Sequence, residues 1–424
     1  MKEKSNEDID YALSANRWSL ISSGLWSRLK TTKSFCSMGT FAFFTMNLLN
    51  GLTCIPQFVD LYLIWGSSYD MFENMKCSLV LIFMQFKGIA IWTKMKQVGF
   101  LLGEIHADWE REALDSDNLL DQELLKRREV MMSFAKIGRI ISYIMTVTTY
   151  GAALFFLPTR YLKAAFFNVT VEERQFPYET EYLTNAVKHS PYYEMIYLSQ
   201  MIGGTLCVTT NFAVDSTVAV VTVHICGQFK ILANDWNKLA SSFEQEKIDE
   251  WTRKRNVEVT KATLKKLVQR HLHLVGLADV IEETFSAIVL LQLIVSSIVI
   301  SLIGFYFIQA IENTDVLGFT IGLCYLTSQT LFIFVYCFSG QELYNQGIGV
   351  ADAIYMSNWY NLPPDISKSL MFVQLRCYKR LSITAGKFCV MDYTMFMTVS
   401  LHNSEDDRIL RIFTACRALG KLVG

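Results

Sequence analysis

Long stretches without a charged residue recur along the chain and predict its architecture. Residues 34–59, 140–159, 195–214, 284–311 and 316–341 contain no Asp, Glu, Lys or Arg. Each is long enough to cross roughly 30 Å of hydrocarbon as a helix of about 20 residues. Two further candidates are interrupted, 71–92 by Lys87 among other charges and the stretch from Phe388 by Asp392. The pattern therefore predicts an all-α membrane protein with seven transmembrane helices.

The basic residues indicate how these helices are oriented. Residues 1–33, 93–139, 215–283 and 342–387 hold 29 of the 39 Lys and Arg residues, and the alternate loops hold few. Because cytoplasmic loops carry the excess of Lys and Arg, the N-terminus is predicted inside and the end of a seventh span outside. This orientation is opposite to that of G-protein-coupled receptors, which share the span count. The one N-glycosylation sequon, at Asn168, lies in a loop predicted outside, where a glycan could be attached.

Two helices with regular apolar spacing are predicted on the cytoplasmic side between the last two spans. Pro363 and Pro364 separate them, since proline ends a helix. A helix over 261–283 is likewise predicted to run into the fifth span. We expect a cytoplasmic helical layer that joins subunits; helices that merely cover each other within one subunit would show the same pattern. The anchor positions are Leu343, Val350, Ile354, Trp359, Leu370, Val373 and Cys377.

Composition and motifs argue against catalysis and against a nucleic-acid partner. The chain of 424 residues is 51% hydrophobic and 19% charged, with a net charge of -1, so membrane lipid is the expected surrounding. It contains no nucleophile, phosphate-binding or zinc motif, and no paired cysteine spacing typical of a metal site. His271 and His273 are two residues apart and face different sides of a helix. No enzyme activity, cofactor or metal is expected.

Hydroxyl and amide side chains occur among apolar residues in the outer halves of spans two, three, four and six. An apolar pocket with a few such groups suits a small volatile organic ligand. For each residue, packing against lipid or a neighbouring helix is the simpler alternative, and spacing alone does not show that the side chains converge. The candidate ligand-binding residues are Ser78, Phe83, Thr146, Thr149, Tyr150, Tyr197, Met201, Tyr325 and Gln329.

Several ordered blocks resemble the signature of insect odorant receptors. They are 336–343 (YCFSGQEL), 353–360 (AIYMSNWY) and 383–388 (ITAGKF), with earlier similarities at 70–74, 224–229 and 286–304. The resemblance implies an odorant-gated, non-selective cation channel in the plasma membrane of olfactory neuron dendrites. It further implies a heterotetramer with the odorant receptor coreceptor, this chain being the odorant-tuning subunit.

The domain boundaries follow from the spans and from this resemblance. They are a cytoplasmic N-terminus 1–33, spans one to six with long inner loops 34–341, anchor helices 342–387, the start of a pore-lining seventh span 388–400, and an atypical tail 401–424. The tail is too charged to span, so the seventh span is expected to be incomplete, which a change of reading frame or splicing near Ser400 would explain. The alternatives are a gustatory-type chemoreceptor channel, whose usual last-span signature is absent, and a secondary transporter, for which no internal repeat is visible.

Overall fold

The computed structural model describes residues 2–25, 33–114, 121–166, 170–182, 184–241, 250–312 and 316–405. Within these residues the fold is built from ten α-helices and one two-stranded antiparallel hairpin. The helices are α1 (Lys2–Ser22), α2 (Lys33–Leu63), α3 (Ser68–Thr93), α4 (Met95–Leu114), α5 (Asp121–Phe166), α6 (Tyr192–Ser241), α7 (Glu250–Glu312), α8 (Val316–Met356), α9 (Pro364–Cys377) and α10 (Tyr393–Glu405). The strands are β1 (Thr384–Ala385) and β2 (Cys389–Val390).

Four of the described helices, α5 to α8, contain a stretch long and apolar enough to cross a membrane. The consecutive helices α3 and α4 make a fifth if the pair, bent by 68°, counts as one span. Helix α2 covers the predicted first span and carries three side-chain amides along it, those of Asn47, Asn50 and Gln57. The predicted start of the seventh span at Phe388 is wrong, because Cys389–Val390 form strand β2 and helix α10 begins only at Tyr393.

The membrane helices continue far into the predicted cytoplasmic side. Helix α7 has 63 residues, which at about 1.5 Å per residue is roughly three times the thickness of the hydrocarbon layer. The helix predicted over 261–283 is thus confirmed as part of α7 and is continuous with the fifth span. Helices α6 and α8 also extend beyond their apolar stretches. The segments predicted as inner loops therefore consist largely of helix.

Helix α6 lies at the centre of the molecule. It packs against α1, α2, α3, α5, α7 and α8, and its apolar stretch is almost wholly buried. The N-terminal helix α1 packs on it through Leu13 and Leu20, and the buried amide of Asn16 donates to the hydroxyls of Ser216, at 3.0 Å, and Thr217, at 2.8 Å. The polar composition of 1–33 gave no prediction of this helix, because few apolar residues suffice for its narrow buried side.

The hairpin after α9 fixes the start of α10 against α7. Its turn needs Gly386, which has a φ of +59° and whose Cβ would lie 2.5 Å from a side-chain atom of Leu290. The backbone N–H of Thr384 donates to a Glu282 carboxylate oxygen at 2.7 Å. Helix α8 approaches the same segment at Gly340, where a Cβ would lie 2.2 Å from the main-chain oxygen of Met391. The ITAGKF and FSGQEL blocks therefore meet where the last helix begins.

Three sequence predictions need comment. Asp392 does not interrupt a span, because its Oδ1 accepts from the backbone N–H of Met395 at 2.8 Å and so caps a helix that begins after it. Trp359 was predicted beside the buried side of the first anchor helix, but that helix ends at Met356, and Trp359 lies in the turn that follows, 38% exposed. Asn168 and the tail beyond Glu405 lie outside the described residues.

Candidate ligand pocket and buried ion pair

A cavity lies between α3, α5, α6 and α8. The volume within which the centre of a water-sized sphere can move is about 60 Å³. This is roughly four times the volume of the same kind that one water molecule needs. Most of its wall is aliphatic or aromatic, with polar groups at only a few points. The polar lining residues are Thr149, Tyr178, Tyr325, Ser328 and Gln329. Apolar walls with few polar groups are typical of sites for small organic molecules.

The structure brings together three of the nine predicted ligand-binding residues. Thr149 from α5 and Tyr325 and Gln329 from α8 all line the cavity. They share a wall with apolar residues that the sequence did not single out, including Met84 and Phe156. Composition could not separate these from other apolar residues of the same helices.

The polar groups of three other candidates are engaged elsewhere. The Ser78 hydroxyl donates to Asn74 Oδ1 at 2.6 Å, and the Thr146 hydroxyl donates to a backbone carbonyl one turn earlier at 2.7 Å. The Tyr150 hydroxyl lies 2.7 Å from Thr209 Oγ1. None of the three lines the cavity, since each hydroxyl completes a bond within or between neighbouring helices.

The remaining three candidates also lie outside the cavity wall. Phe83 faces the amine of Lys87, which is 5.5 Å from the ring centroid. The Tyr197 hydroxyl donates to the Leu157 carbonyl at 2.6 Å and belongs to an aromatic cluster in the outer part of the molecule. Met201 packs between that cluster and the residues around the cavity. These three side chains pack near the cavity without forming its wall.

Tyr178, from the loop between α5 and α6, completes the cavity and was not predicted. Its hydroxyl lies so close to α6 that a Cβ at Gly204 would stand 2.1 Å from it, so glycine is needed there. Burial raises the pKa of Tyr178 well above its usual value, which keeps the hydroxyl protonated. The only signal in the sequence is a glycine pair in α6, and it does not identify which loop residue approaches it.

An ion pair wholly inside the protein lies beside the cavity. Lys87 of α3 and Asp215 of α6 are both 0% exposed and form a salt bridge. The Lys87 ammonium also donates to Asn211 Oδ1 and Gln292 Oε1, each at 2.9 Å, so its three N–H groups each have an acceptor. The Tyr336 hydroxyl of α8 donates to Asp215 as well. The sequence signal for this pair is a Lys inside the apolar stretch 71–92 and an Asp directly after the apolar stretch 195–214.

A row of hydrogen bonds links this ion pair to the cavity wall. Gln292 Nε2 donates to the hydroxyl of Ser296 at 2.8 Å, and that hydroxyl donates to Gln329 Oε1 at 2.8 Å. Gln292 and Ser296 lie on α7, and Gln329 lines the cavity from α8. Helices α3, α6, α7 and α8 are therefore joined through buried polar groups at one level.

A second charged cluster surrounds Asp108 on α4, at the cytoplasmic side. Its carboxylate accepts from Arg270 at 2.7 Å and from Arg111 at 2.9 Å, and lies 3.2 Å from His224 Nε2. Burial opposes ionisation, but the hydrogen bond and charge of His224 and Arg270 outweigh it, so the pKa of Asp108 is lowered. Among the described residues no group of His, Cys, Asp and Glu could hold a metal ion.

The predicted anchor positions lie in the core of this chain. Leu343, Val350, Ile354, Leu370, Val373 and Cys377 are buried against α7, α8 and α9. Apolar residues of α9 and of the position directly after it stay exposed, namely Met371, Phe372, Leu375 and Tyr378. The buried positions hold the cytoplasmic layer together within the chain, and the exposed ones form a separate surface, called here the α9 surface.

Comparison with known proteins identifies the family. The profile of the 7tm Odorant receptor family matches residues 68–400. The chain belongs to this family. Its helices align with the insect olfactory receptor OR5 from Machilis hrabei with a TM-score of 0.74 at 13% identity, covering 96% of this chain and 99% of that one. The same receptor in complex with eugenol gives a TM-score of 0.73, again at 13% identity and covering 95% and 100% of the two chains.

Curated relatives match over part of their length. Odorant receptor 13a of Drosophila melanogaster is 24% identical over 54% of this chain and 55% of that protein. The odorant receptor coreceptor of Anopheles gambiae is 30% identical over 35% of this chain and 30% of that protein. The matched part of the chain thus spans about half the length of these relatives or less.

Together these comparisons place the chain in a class of protein. It is a member of the insect odorant receptor family, an all-α multi-pass membrane protein with the seven-helix fold. Family membership replaces the gustatory-type and transporter alternatives.

Proposed function

We propose that this odorant receptor is the odorant-tuning subunit of a ligand-gated, non-selective cation channel. A small volatile organic molecule binds in the cavity between α3, α5, α6 and α8. The observation that supports this is the cavity itself, since its wall is apolar except for a few hydroxyl and amide groups. Binding stabilises the conformation in which the channel is open.

The proposed partner is the odorant receptor coreceptor, in a heterotetramer at the plasma membrane of olfactory neuron dendrites. The α9 surface supports this, because contiguous exposed apolar residues mark interaction sites. Residues 342–387 then act as the anchor layer through this surface, while the buried positions keep the layer rigid.

The proposed pore helix is α10, at the start of the seventh span. Its first residues are tied to α7 by the hairpin and to α8 at Gly340. Helix α8 also lines the cavity, through Tyr325 and Gln329. A ligand that shifts α8 therefore acts on α10 through rigid contacts.

The test is expression with the coreceptor and recording of cation current in response to a panel of volatiles. Ala153→Phe fills the cavity, because Ala153 lines it, and should abolish the responses. Leu154→Phe is the matched control, since Leu154 is 73% exposed and does not line the cavity, and should respond as the unmodified receptor does. Surface labelling confirms that both variants reach the membrane. Undiminished responses in Ala153→Phe would refute binding in this cavity.

A further inference from the structure

We infer that the cavity presents a fixed hydrogen-bond donor, the side-chain Nε2 of Gln329. Volatile ligands carrying an acceptor oxygen, such as ketones, aldehydes and esters, should therefore bind better than hydrocarbons of the same size. This inference rests on the proposed function, because it concerns the ligand of the same cavity. It adds the chemical class of that ligand and the reason for the selection.

Lys87 determines which atoms donate and which accept in this row of buried hydrogen bonds. An ammonium group donates and never accepts, so the atom of Gln292 that it meets at 2.9 Å must be the oxygen Oε1. The amide of Gln292 is thereby fixed, with Nε2 directed away from Lys87. That nitrogen donates to the hydroxyl oxygen of Ser296 at 2.8 Å.

The next hydrogen bond fixes the orientation of the Gln329 amide at the cavity wall. The Ser296 hydroxyl has its single hydrogen free to donate, and it donates to Gln329 Oε1 at 2.8 Å. This bond fixes the second amide in turn, so that Gln329 offers only its N–H groups to the remaining space. Gln292 and Ser296 are fully buried, and water does not compete with these bonds.

Gln329 Nε2 is left without a partner from the protein. The side chain is 5% exposed and lines the cavity, and among the described residues its nitrogen makes no hydrogen bond. The atom is not sealed by its neighbours. A hydrocarbon that fills the cavity leaves this amide donor unpaired, which is costly, whereas a ligand oxygen accepts from it.

The other polar groups of the wall do not set the same selection. The hydroxyls of Tyr178, Tyr325 and Thr149 can each donate or accept, so they pair equally with an acceptor or a donor on a ligand. The Ser328 hydroxyl already donates to the carbonyl of Tyr325 at 2.8 Å. Gln329 is therefore the group of this wall whose fixed direction favours an acceptor oxygen on the ligand.

The test compares pairs of volatiles in which a methyl group replaces a carbonyl oxygen. Acetophenone is paired with cumene, and cyclohexanone with methylcyclohexane. Binding is measured by tryptophan fluorescence on the receptor and coreceptor complex in lipid nanodiscs, and current is recorded in cells. We expect the unmodified receptor to bind each ketone about two- to tenfold more tightly than its hydrocarbon partner.

Gln329→Leu keeps the approximate volume but removes the donor, so the ratio within each pair should fall about twofold or more through weaker ketone binding. Gln341→Leu is the matched control, because it makes the same change on α8 outside the cavity wall, where the Gln341 amide donates to Asn345, and it should leave the ratio unchanged. Gln292→Leu tests the positioning role, because it releases the Gln329 amide to turn. It should reduce the ratio while hydrocarbon affinity is retained.

The outcomes separate the two proposals. Equal affinities within the pairs for the unmodified receptor, or an unchanged ratio in Gln329→Leu, would overturn the donor while leaving the binding cavity in place. Failure of every pair to bind, or binding that persists in Ala153→Phe, would overturn the cavity as the ligand site.

Discussion

Replacing Lys87 by Met removes the cation of the buried ion pair while keeping most of the side-chain length. Three acceptors then lose their donor, and Asp215 retains the Tyr336 hydroxyl as its hydrogen-bond partner. Removing one member of a buried pair typically costs about 3–5 kcal/mol, because the other charge stays in a medium that cannot solvate it. A loss of this size is a large part of the roughly 5–15 kcal/mol by which a folded protein is usually stable.

The cost should be recovered when the second charge is removed as well. Lys87→Met combined with Asp215→Leu leaves no isolated charge, and replacement of a whole buried pair by apolar groups is often neutral or stabilising. The double variant should therefore be more stable than Lys87→Met alone, although each change by itself destabilises.

The assay is the midpoint of thermal unfolding of the detergent-purified receptor, followed by fluorescence-detected size exclusion. Lys96→Met is the matched control, because Lys96 is exposed on α4, and its midpoint should stay near that of the unmodified protein. The reasoning is refuted if Lys87→Met unfolds at the same temperature as Lys96→Met. It is refuted equally if the double variant is less stable than Lys87→Met.

Three further predictions concern the cytoplasmic half. Gly340→Ala should lower the thermal midpoint and the odorant-evoked current, since its Cβ would lie 2.2 Å from a main-chain oxygen; Gly349→Ala, where the added Cβ meets open space, should alter neither. Phe372→Asp on the α9 surface, at a residue 73% exposed, should reduce co-purification with the coreceptor, whereas Lys368→Asp on the same helix should not. Because the pKa of Asp108 is lowered in the folded state, its contribution to stability is present above the unfolded pKa of about 3.9 and lost as the pH falls toward the lower folded value. Asp108→Asn should therefore flatten the fall of the thermal midpoint at acid pH, and an unchanged acid slope would contradict this assignment.

The helices of the membrane and of the inner layer could be predicted because their signals are local. A run of uncharged residues reports burial in lipid, and a three-to-four-residue period reports one buried side, as in α7 and α9. Helix α1 was not predicted, because its buried side is narrow and carries few apolar residues. The position of Trp359 was not predicted correctly, because α8 ends at Met356, before the prolines at which the sequence predicts its end.

The cavity could be predicted only in part because its wall is assembled from distant segments. Thr149 on α5 and Gln329 on α8 line the same cavity. The residues around either one in the sequence do not indicate that the other lies close to it. Ser78 and Tyr150 have equally suitable chemistry, yet their hydroxyls are used within the helix packing. The direction of the Lys87 hydrogen bonds likewise depends on three helices and becomes visible only in their arrangement.

The contribution of Tyr178 has a consequence for how such a receptor changes over generations. This wall residue belongs to a connecting segment between α5 and α6. Connecting segments tolerate substitution better than the elements they join. Under the proposed function, new odour preferences can therefore arise by mutation of the loop around Tyr178, while the membrane helices remain as they are.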